Sequence, residues 1–213
     1  MTPENKIKFK AGAQARSLVL LPKKEAEKRI ETNYYVEGYA ARYEPYVLYY
    51  DGDEPIYERF ERGCFDDCDM SDVIMQFDHA GRVFARNTNG SLVVEPDDAG
   101  LFMAADLGRT EGARGLYADI DAEMITKMSW RFRVGDCYWD AETRTIVHRT
   151  VKKIYDVSAV SIPANDNTEI NARSWADGVI SLAARSEAEL DDRRRRLRLK
   201  IKLNSQEEFN YET

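Results

Sequence analysis

Between residues 33 and 172 the chain is a succession of short runs of aromatic and β-branched residues broken by Gly, Asp, Asn and Pro, and helical bundles lack this texture. Tyr34, Val36 and Tyr39 mark one such run, Ile56, Tyr57 and Phe60 a second, and Val73, Ile74, Met75 and Phe77 a third. Turn signals separate them at Asp51-Gly52-Asp53, Asn87-Thr88-Asn89-Gly90 and Asp97-Asp98-Ala99-Gly100. The last two delimit an expected hairpin of Ser91 to Glu95 and Leu101 to Leu107.

One segment departs from the β pattern. From about Thr110 to Lys127, Leu116, Ile120, Met124 and Met128 recur every four residues, which predicts a helix leading straight into Ser129. Then Trp130, Phe132 and Val134 alternate with Ser129, Arg131 and Arg133, the period-two pattern of a strand with Ser129 on its polar face. A turn over Asp140 to Thr143 should return the chain through Ile146 to Lys153, and Val157 to Ile162 reads as an apolar strand ended by Pro163. The fold class is therefore mainly β with flanking helices, α+β.

The ends differ from this domain. Residues 1–32 are expected to be a basic extension, with eight Lys or Arg against four Asp or Glu up to Glu31. Residues 173–213 are expected to be a charged, helical, detachable tail carrying the Arg193 to Arg196 run, with the helix placed over Ala184 to Lys202. With 43% hydrophobic and 32% charged residues the chain can build a packed core. A formal charge of −7 disfavours broad binding to nucleic-acid phosphates. The apolar run Leu18 to Leu21 is too short for a membrane span or signal-peptide core, so neither nucleic acid nor membrane is an expected partner.

Three cysteines are too few for a secreted disulfide scaffold. Cys64 and Cys68 form a CxxxC spacing that only His79 and His148 could complete as a zinc site, so no metal or cofactor is expected. A serine peptidase needs a hydroxyl, an imidazole to take its proton and a group that orients the ring. His79 ends a strand just before the expected turn Ala80-Gly81, whereas His148 lies mid-strand. Taken alone, the local sequence of each favours a solvated turn histidine and an exposed strand residue respectively, and serine at an element boundary such as Ser129 is commonplace. Asp156 is more suggestive. In a regular strand it shares a face with Ile154, Ser158, Val160 and Ile162, where a carboxylate is costly unless paired, with a histidine or with Arg149, Lys152 or Lys153. Cys137 is a competing nucleophile with nothing nearby to lower its thiol pKa, and reads as packing. Asp78, His79, Asp97 and Asp98 are the material for a metal-dependent hydrolase, although the last two occupy a turn that favours solvated Asp.

In order, the segments Val36-Glu37-Gly38-Tyr39-Ala40, Glu61-Arg62-Gly63-Cys64-Phe65, Gln76-Phe77-Asp78-His79, Asp98-Ala99-Gly100-Leu101, Lys127-Met128-Ser129-Trp130-Arg131-Phe132, Tyr155-Asp156-Val157-Ser158-Ala159-Val160 and Pro163-Ala164-Asn165 resemble the prohead serine proteases of tailed bacteriophages, from about Val36 to Ile170. The resemblance implies His79 and Ser129 as the catalytic pair, Asp156 as third member, and a small closed β-barrel similar to the herpesvirus assemblin protease. Because the third member in assemblin is a second histidine, His148 stands as rival to Asp156. The sequence departs from the commoner pattern at Ala80-Gly81, where an acidic residue often follows the histidine, and at Cys64, where a small residue is frequent. The implied substrates are the scaffolding segment of the major capsid protein and the enzyme itself, cut inside the assembling prohead in the host bacterial cytoplasm. Self-association and contact with the portal are further implied partners. The other function classes are a non-catalytic inner-capsid assembly factor and a metal-dependent hydrolase. Retention of all three candidate residues speaks against the assembly factor.

Overall fold

The computed structural model describes the backbone of residues 13–19, 28–161 and 166–210, and side chains over 28–161 and 176–198. Twelve strands and two α-helices are assigned among them: β1 (Ala13–Val19), β2 (Tyr35–Arg42), β3 (Tyr46–Asp51), β4 (Glu54–Phe60), β5 (Ile74–Phe77), β6 (Ala80–Arg86), β7 (Leu92–Pro96), β8 (Gly100–Asp106), α1 (Glu111–Asp121), β9 (Lys127–Val134), β10 (Cys137–Asp140), β11 (Thr145–His148), β12 (Val151–Val160) and α2 (Asp166–Asn210). The chain divides into two units, residues 1–174 and 175–213.

The first unit is mainly β, in three sheets ordered β1-β9-β12-β5-β6, β10-β11-β4-β3 and β2-β8-β7. The expected closed barrel is not formed. Closure would need a hydrogen-bonded ladder joining the end strands of a sheet, and among the described residues each sheet keeps two edges. The sheets instead bury apolar faces against one core, to which Val36, Leu101 and Met103 come from the third sheet, Phe60 from the second and Met75, Trp130 and Ile154 from the first. Alternation dictates which face of a strand is buried but not which strand lies beside it, and so does not decide between closure and stacking.

The alternation expected in β9 is present. Met128, Trp130 and Phe132 are at most 2% exposed, and Trp130 stacks on Phe132 at 4.1 Å. Burial of each such side chain contributes roughly 1.5–3 kcal/mol. The β7–β8 hairpin also forms as expected, closed by Asp97, whose Oδ1 accepts from the N–H groups of Ala99 (2.7 Å) and Gly100 (3.0 Å). Gly100 has φ 155°, and a Cβ there would stand 2.1 Å from the carbonyl oxygen of Ala41, so β2 and β8 approach too closely for a side chain.

The helix is shorter than its four-residue spacing suggested. Thr110 caps α1 by accepting from the Ala113 N–H (3.1 Å), and Ala113, Leu116 and Ile120 are buried, but the helix ends at Asp121 and Glu123 turns left-handed at φ 58°. Each four-residue step overshoots a full turn by about 40°, so Met124 would stand about 80° round from Leu116. Met124 is indeed exposed, and Met128 belongs to the core face of β9. A short connection therefore separates helix and strand, and Ser129 is the third residue of β9 rather than its first.

β12 runs unbroken from Val151 to Val160, where two separate segments were expected. The second unit consists of the greater part of α2. Its exposed face carries Arg196–Asp192 (2.8 Å) and Arg194–Asp191 (3.5 Å) pairs one turn apart.

Candidate active site

The first sheet carries three of the expected residues, Ser129 and Asp156 on the neighbouring strands β9 and β12 and His79 in the turn between β5 and β6. β12 lies between β9 and β5, antiparallel to the first and parallel to the second. Ile154 faces Phe132 and Asp156 faces Arg131, so two steps along β12 match one along β9, a bulge at Tyr155. The bulge corrects the expected face. Ile154 joins Val157 and Ala159 in the core, while Asp156 and Ser158 lie on the opposite face with Arg131 and Ser129. Ile162 lies outside the described residues.

Asp156 is 2% exposed, a location that costs a carboxylate several kcal/mol unless partners compensate. Its Oδ1 accepts from Ser158 Oγ at 2.6 Å and stands 2.5 Å from His79 Nδ1, while Arg131 Nε lies 3.9 Å from Oδ2. Of the cations considered as partners from sequence, Lys153 pairs with Asp69 and Arg149 with Asp136.

His79 reaches the carboxylate from the tip of the β5–β6 hairpin. Phe77 pairs with Ala80, leaving Asp78 and His79 as a two-residue turn with φ 48° and 57°. Positive φ at both positions is the type I′ geometry, which matches strand twist but is disfavoured for residues other than Gly, Asn and Asp. The turn is thus two residues earlier than expected, with Ala80 and Gly81 already in β6. Asp78 anchors it to the end of β12. Its N–H donates to the Ala159 carbonyl (2.9 Å), and its carboxylate accepts from the Ser161 N–H and Oγ (2.9 Å each). The imidazole is consequently buried at 9% exposure rather than solvated.

The Nδ1–carboxylate contact dictates the ring's protonation pattern. Nδ1–H faces Asp156, which leaves the Nε2 lone pair as the basic site in the neutral ring. Nε2 is buried without a hydrogen-bond partner among the described residues. Ser129, itself 0% exposed, lies directly opposite Ser158, a relation that brings Cβ atoms within about 4.5–5.5 Å. Its hydroxyl therefore belongs to the face on which Ser158, Asp156 and His79 converge.

Other candidates are placed elsewhere. His148 is fully buried in β11, its Nε2 2.6 Å from Glu58 Oε1, while Tyr46 OH donates to Glu58 Oε2 and the imidazole stacks on Phe60 at 4.5 Å. Neither an exposed residue nor a partner of His79, it belongs to a polar cluster of the second sheet. The Cys137 thiol is pushed up to about 11 by burial, reinforced by the charges of Asp136 and Glu58, and so is protonated near neutral pH. Burial likewise lifts Cys64 to about 12 and Cys68 to about 11. Among the described residues no three His, Cys, Asp or Glu side chains cluster as metal ligands. Asp78 is committed to Ser161, and Asp97 to its own turn and Tyr39.

Sequence reasoning passed over Ser158 and Arg131 as site residues. Both carried a signal, since each lies two residues from a candidate on its own strand, Ser158 from Asp156 and Arg131 from Ser129.

A buried serine on the sheet face that also bears a carboxylate-bound imidazole, whose second nitrogen is buried without a hydrogen-bond partner among the described residues, is equipment that a serine hydrolase uses. The family model described as Caudovirus prohead serine protease matches residues 22–178, a span containing all three groups, and the chain belongs to that family. No curated protein and no solved structure matches the chain. Membership identifies a serine protease of capsid maturation that meets capsid proteins inside the assembling prohead. Among the described residues no helix is long and apolar enough to cross a membrane.

Proposed function

We propose that Ser129 is the nucleophile, His79 the general base and Asp156 the group that orients it, and that the substrates are the scaffolding segment of the major capsid protein and the chain itself. The observation that carries this reading is the 2.5 Å His79–Asp156 contact, with Nε2 left as a buried base on the face that bears Ser129. His79 Nε2 takes the Ser129 proton as Oγ bonds to the peptide carbonyl carbon, and the imidazolium is stabilised by Asp156. The C–N bond then breaks, with the proton passing to the leaving amine. Water repeats the sequence on the acyl ester and restores the hydroxyl. Ser158 fixes the same carboxylate oxygen that meets His79, so Asp156 has little freedom to rotate.

The test is co-expression with the capsid protein and intact-mass comparison of wild type with Ser129→Ala. Loss of roughly 10⁴ to 10⁶ in processing rate, with shells still assembling, is expected. Processing at the wild-type rate would remove Ser129 from the mechanism, and sensitivity to a chelator would redirect it to a metal.

A further inference from the structure

β1 lies antiparallel along β9, the strand that carries Ser129. Its ladder pairs Ala13 with Arg131 and Gln14 with Trp130, then resumes with Leu18 opposite Met128 and Val19 opposite Lys127. Ser129 alone stands between Trp130 and Met128, whereas Ala15, Arg16 and Ser17 stand between Gln14 and Leu18. The register of β1 thus breaks opposite the candidate nucleophile. Surplus residues in one strand force its backbone away from the regular ladder.

β12 takes one edge of β9 and β1 the other, so without β1 the Ser129 strand would be a sheet edge. Such an edge accepts an extended peptide through main-chain hydrogen bonds, the strand-addition mode of peptide recognition. A peptide held wholly in the ladder is a poor substrate, because its carbonyls are bound in the plane of the sheet while a nucleophile must approach from above or below the carbonyl plane. Release of a few residues at the nucleophile, with the ladder kept on both sides, provides alignment and access together. The β1 ladder has this form.

We propose that residues 13–19 are an intramolecular substrate strand, docked on the edge of β9, and that the chain cuts itself at a peptide bond between Gln14 and Leu18. The inference rests on the assignment of Ser129, His79 and Asp156. The carbonyl carbon of the cut bond forms an ester with Ser129 Oγ, its C–N bond breaks, and the Ser129 proton passes through His79 to the new α-amino group. Water hydrolyses the ester, giving the released segment a carboxylate and returning a proton to Oγ. Before the cut, the tethered strand has an effective concentration on the order of millimolar. It therefore excludes other peptides from the same edge, and departure of the released segment opens β9 to the capsid scaffold.

The full chain is expressed with the capsid protein and its amino terminus followed by intact mass and terminal sequencing. A wild-type chain that begins at residue 15, 16, 17 or 18, at a rate unchanged by 100-fold dilution, is the expected result, with Ser129→Ala retaining its full terminus. The combined substitution Ala15→Pro, Arg16→Pro, Ser17→Pro and Leu18→Pro turns all four bonds into X–Pro bonds. That variant should stay uncut and process the capsid protein at least tenfold more slowly than wild type. Capsid processing with an intact terminus, or with a terminus cut outside this window, overturns the inference and leaves the catalytic assignment standing. Failure of both cleavages overturns both. An identical truncation in Ser129→Ala assigns the cut to another protease and also overturns the inference.

Discussion

Asp156→Asn separates the orienting role of this side chain from any contribution to packing. The residue is 2% exposed and its Oδ1 meets both Ser158 Oγ and His79 Nδ1, so an isosteric amide fills the same volume and keeps the Ser158 hydrogen bond. Arg131 Nε, 3.9 Å from Oδ2, favours the amide oxygen at that position, which places the NH₂ group at the Oδ1 position, where it donates to His79 Nδ1 and to Ser158 Oγ, a hydroxyl that can accept as well as donate. The ring proton is then driven to Nε2, and the base is lost in the neutral imidazole although no atom has moved far. Asp→Asn at this role costs on the order of 10⁴ in kcat in a well-studied serine protease, equivalent to about 5 kcal/mol of transition-state stabilisation. The assay is the initial rate of capsid-protein cleavage by intact mass, alongside urea unfolding of the same preparations. The expected result is a 10³- to 10⁴-fold fall in rate, with stability lowered by less than about 2 kcal/mol. A rate within tenfold of wild type in a folded variant would refute the argument, since it would mean that Asp156 does not govern the His79 tautomer.

Glu58→Ala strips His148 of its carboxylate in a site where both are 0% exposed, and should lower stability by about 3–5 kcal/mol in urea unfolding; a loss under about 1 kcal/mol would refute a structural role for the pair. Gly100→Ala places a Cβ 2.1 Å from the Ala41 carbonyl oxygen at an unfavourable φ and should cost about 3 kcal/mol or more, read as a drop in Tm. Burial works against the Asp106 carboxylate, but hydrogen bonds from Thr32, the Gly108 N–H and Arg109 outweigh it and hold it below its ordinary value of 3.8. Its contribution to stability is thus fully present above about pH 4 and is lost as pH falls through the lower folded value. Asp106→Asn should lower the urea midpoint at pH 7 and flatten its decline below pH 4.

What could be read directly from the chain was the local part of the answer. Alternation of Met128, Trp130 and Phe132 with Ser129 and Arg131 assigned β9 its two faces, because side chains in any strand alternate regardless of its neighbours. The Asp97-Asp98-Ala99-Gly100 signal located a hairpin, because an Asp side chain can cap the backbone two and three residues ahead. The helix failed at its far end because periodicity continues past the point where the backbone stops following it. Asp156 was singled out correctly as a carboxylate in need of a partner, yet on the wrong face relative to Ile154, since a bulge is a property of two paired strands and leaves no mark in one of them.

The sequence by itself determined a mainly β chain, its apolar faces and the residue types that a serine protease requires, all consequences of side-chain chemistry and short-range geometry. Only the tertiary structure decided the open sheets instead of a closed barrel, the commitment of His148 to Glu58, and the meeting of His79 with Asp156. These depend on strand order, register and a strained hairpin tip held down by Ser161. Such features are selected by the packing energy of the whole assembly, and residues 77 positions apart carry no local trace of it.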